Sequence, residues 1–341
     1  MTIVLYILLG ISVLAPIYTY ALYPMVLRLF PKRSRETKDN FCPTVSVFII
    51  GRDKGKCENK AERVRTSSYT NIKEIVPVIN QEEAVVAIHR AKGDVVVVTD
   101  EDSTFLRDTI SEVILPLAEP SVGCVCGMVR KAPGENGEYR DGANWKYENK
   151  IKVLESNIGC LSGANTSIYA FKKALIAEEL STKINLDFQI PTLITEAGLD
   201  VVFEPKALAY EPDERNEQEL FKKHIDDGAS GYRAITRFWR LLIPGRKGSF
   251  VFWSHRVMKW LVPFNMIILL GGCGILALYH LWALALFVCQ ILFYLYVIGY
   301  YTFFTSRGKE LSGLIGKLSG FACYFVTLNI AWFLGLFKTK R

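Results

Sequence analysis

The chain has 341 residues, half of them apolar, and a formal net charge of +7, which is room for one large domain or two ordinary ones. Its eight cysteines, Cys42, Cys57, Cys124, Cys126, Cys160, Cys273, Cys289 and Cys323, form no CxxC pair, which speaks against a zinc site or disulfide framework and for a reducing cytosol. The positive charge gathers beside apolar runs, where anionic lipid attracts it, so no nucleic acid is needed to explain it.

Three runs are nearly free of charge: Ile3 to Phe30, Trp260 to Phe304 and Leu318 to Phe337. The first lacks the basic start and small-residue cleavage site of a secretory signal, and it is long enough to cross a bilayer as one helix, residues 1–30. The basic Pro31-Lys-Arg-Ser-Arg after it places the following domain, residues 31–238, on the cytoplasmic face.

Pro43-Thr-Val-Ser-Val-Phe-Ile-Ile predicts a buried strand broken at Gly51, with Arg52 and Asp53 at its carboxyl end, where ligands gather in such sheets. A helix lies within Lys54 to Ser68. Lys73 to Asn80 is a third strand, which Pro77 moves towards an edge or a bulge. Gln81 to Lys92 has helical spacing, and His89 within it is a solvated residue rather than a catalytic one.

Gly93-Asp-Val-Val-Val-Val-Thr-Asp-Glu-Asp-Ser103 is the centre of the chain. Four valines without a polar face predict a strand buried on both sides. The strand ends in Asp100, Glu101 and Asp102, hard oxygen ligands of the kind that hold Mg2+ or Mn2+ against a phosphorylated ligand. A solvated acidic turn is the plainer reading of the same residues.

Thr104 to Ala118 reads as a helix, Val122 to Arg130 as a strand, and Asn144 to Glu155 as an amphipathic helix. Cys160-Leu-Ser-Gly-Ala-Asn-Thr-Ser is a small-residue turn in which Gly163, Ala164 and Asn165 would let a sugar approach the backbone, or simply form a tight turn. Lys172 to Leu180 reads as a short helix. Asp187 precedes a helix through Thr195, where an acid also suits the helix dipole. Gly198 to Glu211 is the final strand, and Glu217 to Phe238 a charged helix with Lys222, Lys223 and His224 adjacent. Residues 239–258 mix Trp, Phe, Arg, Lys and His as interfacial helices do. Residues 259–341 then hold two or three spans, the last of them, Leu318 to Phe337, crossing or re-entrant.

Taken together, Pro43 to Ile50, Ala91 to Ser103, Trp145-Lys-Tyr-Glu with Ser162-Gly-Ala-Asn, Asp187-Phe, and Phe203 to Glu211 resemble the membrane glycosyltransferases of family 2, in the hyaluronan synthase and cellulose synthase-like branch. The resemblance implies an α/β GT-A fold, a Rossmann-like mixed sheet in a cytosolic domain flanked by transmembrane helices. It also implies Asp100 and Asp102 as a DxD motif. Asp102 would bind Mn2+ or Mg2+, and Asp100 the nucleotide sugar, a UDP-sugar, or the metal. Asp187 would be the general base, and Lys222, Lys223 and His224 would lie near the diphosphate.

Three departures qualify the likeness. The nucleobase-reading acid of an Asp-Gly-Ser type turn after the second strand, and roughly one helix-strand unit, are missing where Asn80 runs almost directly into Gln81, which implies a smaller sheet. The Gln-x-x-Arg-Trp motif of processive synthases is absent, with Asp226 about where relatives carry an arginine. Asp187 follows Leu186 where relatives show two acids. The expected function is therefore a membrane-bound, inverting transfer of one sugar to a lipid-linked or growing-glycan acceptor. The alternatives are a processive, hyaluronan-like polysaccharide synthase, with homo-oligomers forming its channel, and a non-catalytic GT-A-like membrane scaffold.

Overall fold

The structure, a computed structural model, describes residues 2–33, 41–132, 143–177, 179–212, 217–307, 311 and 313–338. Ser34 and Arg35 of the basic linker, Lys309, and the tail Thr339-Lys340-Arg341 lie outside the described residues. The chain divides into two compact units, one of Pro24–Glu214 with Arg237–Trp253, the other of Met1–Tyr23, Arg215–Thr236 and Ser254–Arg341.

The first unit is built on seven strands: β1 Val45–Ile50, β2 Ile72–Val78, β3 Val95–Asp100, β4 Thr104–Phe105, β5 Val122–Lys131, β6 Tyr169–Lys172 and β7 Asp200–Glu211. Their order is β2-β1-β3-β6-β5-β7-β4. β1 runs parallel to β2 and to β3, β6 is antiparallel to β3 and to β5, and β5 is parallel to β7. The sheet is thus mixed, as expected, and its parallel half ends at one edge in Ile50, Val78 and Asp100. β2 is an edge strand, where the N–H that Pro77 lacks costs the ladder least.

Helices α2 Lys54–Arg65 and α4 Thr109–Ile114 cover one face, over Val47, Ile49, Val95 and Val97. Val96 and Val98 on the opposite face are buried as well, beside Tyr169 and Phe171. The four-valine strand therefore has no solvated side. Each of its valines contributes roughly 1.5–3 kcal/mol by burial. Between β5 and β7 the register slips at Gly127, where a Cβ would lie 2.4 Å from the Ala207 carbonyl oxygen. Only a glycine fits that bulge.

α3 Gln81–His89 begins directly after β2, and a reciprocal cap stops the strand there. The Glu83 N–H donates to Asn80 Oδ1 at 2.8 Å, and the Ile79 N–H donates to Glu83 Oε2 at 3.0 Å. α5 Ala143–Asn157 and α6 Leu186–Glu196 complete the unit.

The structure corrects two expected helices. Thr104 and Phe105 pair with Tyr210 and Ala209 of β7 instead of opening a helix, so the helical stretch is shortened to Thr109–Ala118. Among the described residues of Lys172–Leu180 there is only a turn of 3-10 helix, at Lys173–Leu175. The Lys173 N–H is drawn to the Asp94 carbonyl, and Gln81 Nε2 donates to the carbonyls of Thr182 and Ile184, both at 2.8 Å.

The second unit is helical. Four described helices are long and apolar enough to cross a membrane: α1 Ile3–Leu27, α8 Ser249–Leu276, α9 Leu281–Arg307 and α10 Gly313–Lys338. The expected interfacial stretch is only partly separate, because Ser249–Met258 is continuous with α8 through a π-helical segment at Phe252–Val257. Charge alone does not break a helix, and nothing else in those residues does. α10 is one continuous helix of 26 residues. α7 Glu217–Arg237 crosses it at glycines, a Cβ on Gly228 meeting Trp332 Cα at 2.7 Å and one on Gly335 meeting the Ala229 nitrogen at 2.6 Å.

Candidate functional site

At the carboxyl end of β3 the three acids have three different tasks. Asp100 folds back on its own turn: its Oδ1 accepts the Ser103 N–H at 2.7 Å, and its Oδ2 lies 2.8 Å from Ser167 Oγ. Glu101 turns towards β1, where its two oxygens accept the N–H groups of Arg52 (3.1 Å) and Asp53 (2.9 Å). Glu101 thus ties together the ends of two parallel strands. Gly51 makes room for it, since a Cβ there would stand 2.3 Å from Glu101 Oε2. Asp102 faces solvent with half of its side chain exposed, and its Oδ1 is 2.9 Å from Lys56 Nζ. That hydrogen bond, and then the charge of Asp102, raises the Lys56 amine above its ordinary range.

Of the strand-end residues expected to meet ligand, Arg52 contributes its N–H to Glu101, and Asp53 caps α2 by accepting the Lys56 N–H at 3.2 Å. The capping task follows from Asp at the residue before a helix.

Asp187 lies in the first turn of α6, half-buried. Its carbonyl accepts the Ala164 N–H at 2.7 Å, so the small-residue turn and the start of α6 are joined. Gly163 and Ala164 are themselves buried, and Asn165 is half-exposed. The Asn165 N–H donates to Cys126 Sγ at 3.1 Å and its Nδ2 to the Gly127 carbonyl at 2.7 Å. Burial pushes up the Cys126 thiol and the Tyr169 phenol, and the charge of Asp187 adds to both shifts. Three residues beyond Ala164, Ser167 reaches Asp100. One short segment therefore touches the acid turn at one end and α6 at the other.

Lys222, Lys223 and His224 lie on α7 in the helical unit. The two lysines are exposed, while His224 Nδ1 is 3.7 Å from Asp227 and its ring packs edge-on to Tyr324. Asp226 pairs with Lys338.

Residues outside the expected site also converge on it. Lys60 is buried under the acid turn, its Nζ donating to the carbonyl and hydroxyl of Ser103. Lys152 is buried beneath the small-residue turn and donates to Asn165 Oδ1. Glu211, at the end of β7, has its Oε1 2.7 Å from Ser167 Oγ, whose one hydrogen serves either Glu211 or Asp100 at a time. Lys60 was legible in the spacing Cys57, Lys60, Ala61, Val64, which puts it on the buried face of α2. Glu211 gives no such local signal, because the register slip between β5 and β7 decides where it ends.

Among the described residues no three of His, Cys, Asp and Glu converge as a closed metal cage. A Mg2+ or Mn2+ completed by phosphate oxygens needs only one or two carboxylates, and Asp102, half-exposed and held only by a surface lysine, fits that part. A mostly apolar groove of about 590 Å³ between β1, β2 and α3, lined by Phe48, Val76, Val78 and Val86, lies apart from this chemistry.

A mixed sheet with an acidic turn at the carboxyl edge of its parallel strands, followed by an acid-bearing helix, defines a GT-A-type α/β domain. Residues 80–176 match the family described as Glycosyl transferase family 2. Among solved structures, the mannosyltransferase PcManGT from Pyrobaculum calidifontis, in complex with GDP-Man and Mn2+, overlays with a TM-score of 0.70 at 15% identity, covering 98% of this chain and 99% of that one. Glucosyl-3-phosphoglycerate synthase from Mycobacterium tuberculosis, with Mn2+, UDP-glucose and phosphoglyceric acid, overlays with a TM-score of 0.41 at 12% identity, covering 61% and 88%. No curated protein is similar enough in sequence to match. The GT-A fold and its flanking apolar helices agree with the sequence reading. The match does not reach the hyaluronan and cellulose synthase branch.

Proposed function

We propose that the protein is a membrane-bound, metal-dependent, inverting glycosyltransferase that moves one sugar from a nucleotide-sugar donor to a lipid-linked or growing-glycan acceptor, with its sheet unit on the cytoplasmic face. The observation that carries this reading is the segment from Ala164 to Ser167, which bonds to Asp187 at one end and to Asp100 at the other. The link meets Asp187 at its main-chain carbonyl and Asp100 at its carboxylate, so it joins the start of α6 to the acid turn. A solvated acidic turn would need no such link.

In this reading Asp102 holds the divalent cation and Asp100 orients the turn and the donor. The cation, when bound, offsets charge on the diphosphate leaving group. The acceptor hydroxyl oxygen attacks the anomeric carbon from the face opposite the diphosphate. As that bond forms, the bond from the anomeric carbon to the diphosphate oxygen breaks and its electron pair leaves with the diphosphate. Asp187 takes the hydroxyl proton, which becomes acidic only as the bond forms, so a carboxylate is a sufficient base. Gly163, Ala164 and Asn165 shape the acceptor side, with Asn165 nearest to solvent. Arg52 and Asp53 border the nucleotide. The basic Lys32 and Arg33 after α1 support the cytoplasmic orientation.

One transfer per acceptor is preferred to polymer synthesis. The Gln-x-x-Arg-Trp motif of processive synthases is absent from the sequence. The Pyrobaculum enzyme's complex makes GDP-mannose a donor to try beside UDP-sugars.

The test is turnover by the full chain in detergent with GDP-mannose and a panel of UDP-sugars, in Mn2+, Mg2+ or EDTA. Sugar release or transfer that requires metal and is abolished by Asp102→Ala is the expected result. Asp187→Asn should slow it by about 10²–10⁴-fold. No metal-dependent turnover of any donor would point to the non-catalytic scaffold.

A further inference from the structure

α2 carries a lysine on its buried face. Lys60 is 3% exposed, in line with Cys57, Ala61 and Val64. A buried amine costs free energy unless its hydrogens find partners, and Lys60 finds them in one place. Its Nζ donates to the Ser103 carbonyl and, at 3.0 Å, to the Ser103 hydroxyl, and it stands 3.6 Å from the centre of the Phe105 ring. Ser103 is itself buried. Its N–H is the group that fixes Asp100 Oδ1, and its hydroxyl is 3.2 Å from Thr99 Oγ1. The turn from Asp100 to Ser103 is therefore fastened from inside by a helix that also meets it through Cys57 Sγ, 3.7 Å from Glu101 Oε2, and through the surface contact of Lys56 with Asp102.

We propose that Lys60 is a positioning residue of the donor site: it holds the Asp100–Ser103 turn in the shape that presents Asp100 and Asp102 to a divalent cation carried by a nucleoside diphosphate. The inference rests on the reading of those two acids given above. Without Lys60 the Ser103 carbonyl would face the interior with no donor, and the turn would open to hydrate it. Burial draws the amine down to about 7, against the pull of Asp100. Neutral or charged, it still donates to Ser103.

The experiment is isothermal titration of the full chain in detergent with MnCl2 and GDP, with a parallel arm using UDP, and each arm repeated in EDTA. Lys60→Met should weaken Mn2+-dependent nucleotide binding by about tenfold or more and leave the metal-free affinity within about twofold. Ser103→Ala, which removes one of the two acceptors, should weaken it in the same metal-dependent way by about threefold, and it carries the test if Lys60→Met does not fold. Binding unchanged in folded Lys60→Met or in Ser103→Ala overturns the inference. A loss equal with and without Mn2+ does so too, since that marks a purely structural lysine. Asp102→Asn separates the two layers. Unchanged Mn2+-dependent binding in that variant defeats the reading of the acids, whereas sensitivity to Asp102 with indifference to Lys60 defeats only this inference. A parent that binds neither nucleotide defeats both.

Discussion

Gly51→Ala probes the junction on which the acid turn depends. The new methyl group would stand 2.3 Å from Glu101 Oε2 and 2.6 Å from Cys57 Sγ, distances no side chain tolerates. Cys57 is buried and cannot yield, so Glu101 must swing out and release the N–H groups of Arg52 and Asp53. Two hydrogen bonds to a charged group, at roughly 1.5–3 kcal/mol each before solvent takes some of the loss back, suggest a cost of about 3 kcal/mol. For a unit of this size that is a fall in Tm of about 6–12 °C. A double-mutant cycle isolates the cause. Glu101→Ala alone should cost about as much, and adding Gly51→Ala to it should cost less than Gly51→Ala does in the parent, because the Glu101 clash has gone and only the contact with Cys57 Sγ is left. Thermal unfolding of the four proteins in detergent reads this directly. Additive losses, or a Tm for Gly51→Ala within 1–2 °C of the parent, would refute the reasoning.

Asp200 is buried and receives two cations, Arg33 Nη1 at 2.7 Å and Lys247 Nζ at 2.5 Å, from the segments that follow α1 and precede α8. Asp200→Asn should destabilise the sheet unit by about 2–3 kcal/mol, less than a fully buried pair because Arg33 is half-exposed and can turn to water. A melting temperature unchanged by Asp200→Asn would contradict the pairing. Stability should also depend on pH through Lys60. Burial holds its amine near 7 in the folded chain, below the ordinary 10.5. Between those values the unfolded chain binds the extra proton, so this contribution is complete above about 10.5, shrinks as pH falls, and is lost below about 7. The Tm of the parent should therefore rise relative to that of Lys60→Met between pH 7 and pH 9. Parallel curves would rule the coupling out.

Much of the fold was legible because local pattern and final environment agree. Four valines in a row have only one stable place, a strand covered on both faces, and Pro77 has only one in a sheet, its edge. The failures have physical reasons. Thr104 and Phe105 have helix-compatible neighbours, yet the Ser103 turn beneath Lys60 delivers them to the free edge of β7. Lys173 begins a helical turn but its N–H is drawn to the carbonyl of Asp94, just before β3, and Gln81 then holds the carbonyls of Thr182 and Ile184. In the site, acidity alone could not distinguish the three acids of the turn. Glu101 looked like its neighbours and proves to be a clasp on backbone N–H groups, which only the distance between β1 and β3 reveals. By contrast, Asn80 and Glu83 cap α3, and that Asn-x-x-Glu spacing ahead of Ala84 and Val85 is a helix start that the sequence carries on its face.

The most direct test of the central claim is to locate Mn2+ by its anomalous scattering in a crystal of the full chain with a bound nucleoside diphosphate. The account predicts the ion against the Asp102 carboxylate, with the diphosphate between it and a cleft into which Asp187 opens. An ion bound elsewhere, or a nucleotide seated where Asp187 faces a different surface, would contradict it.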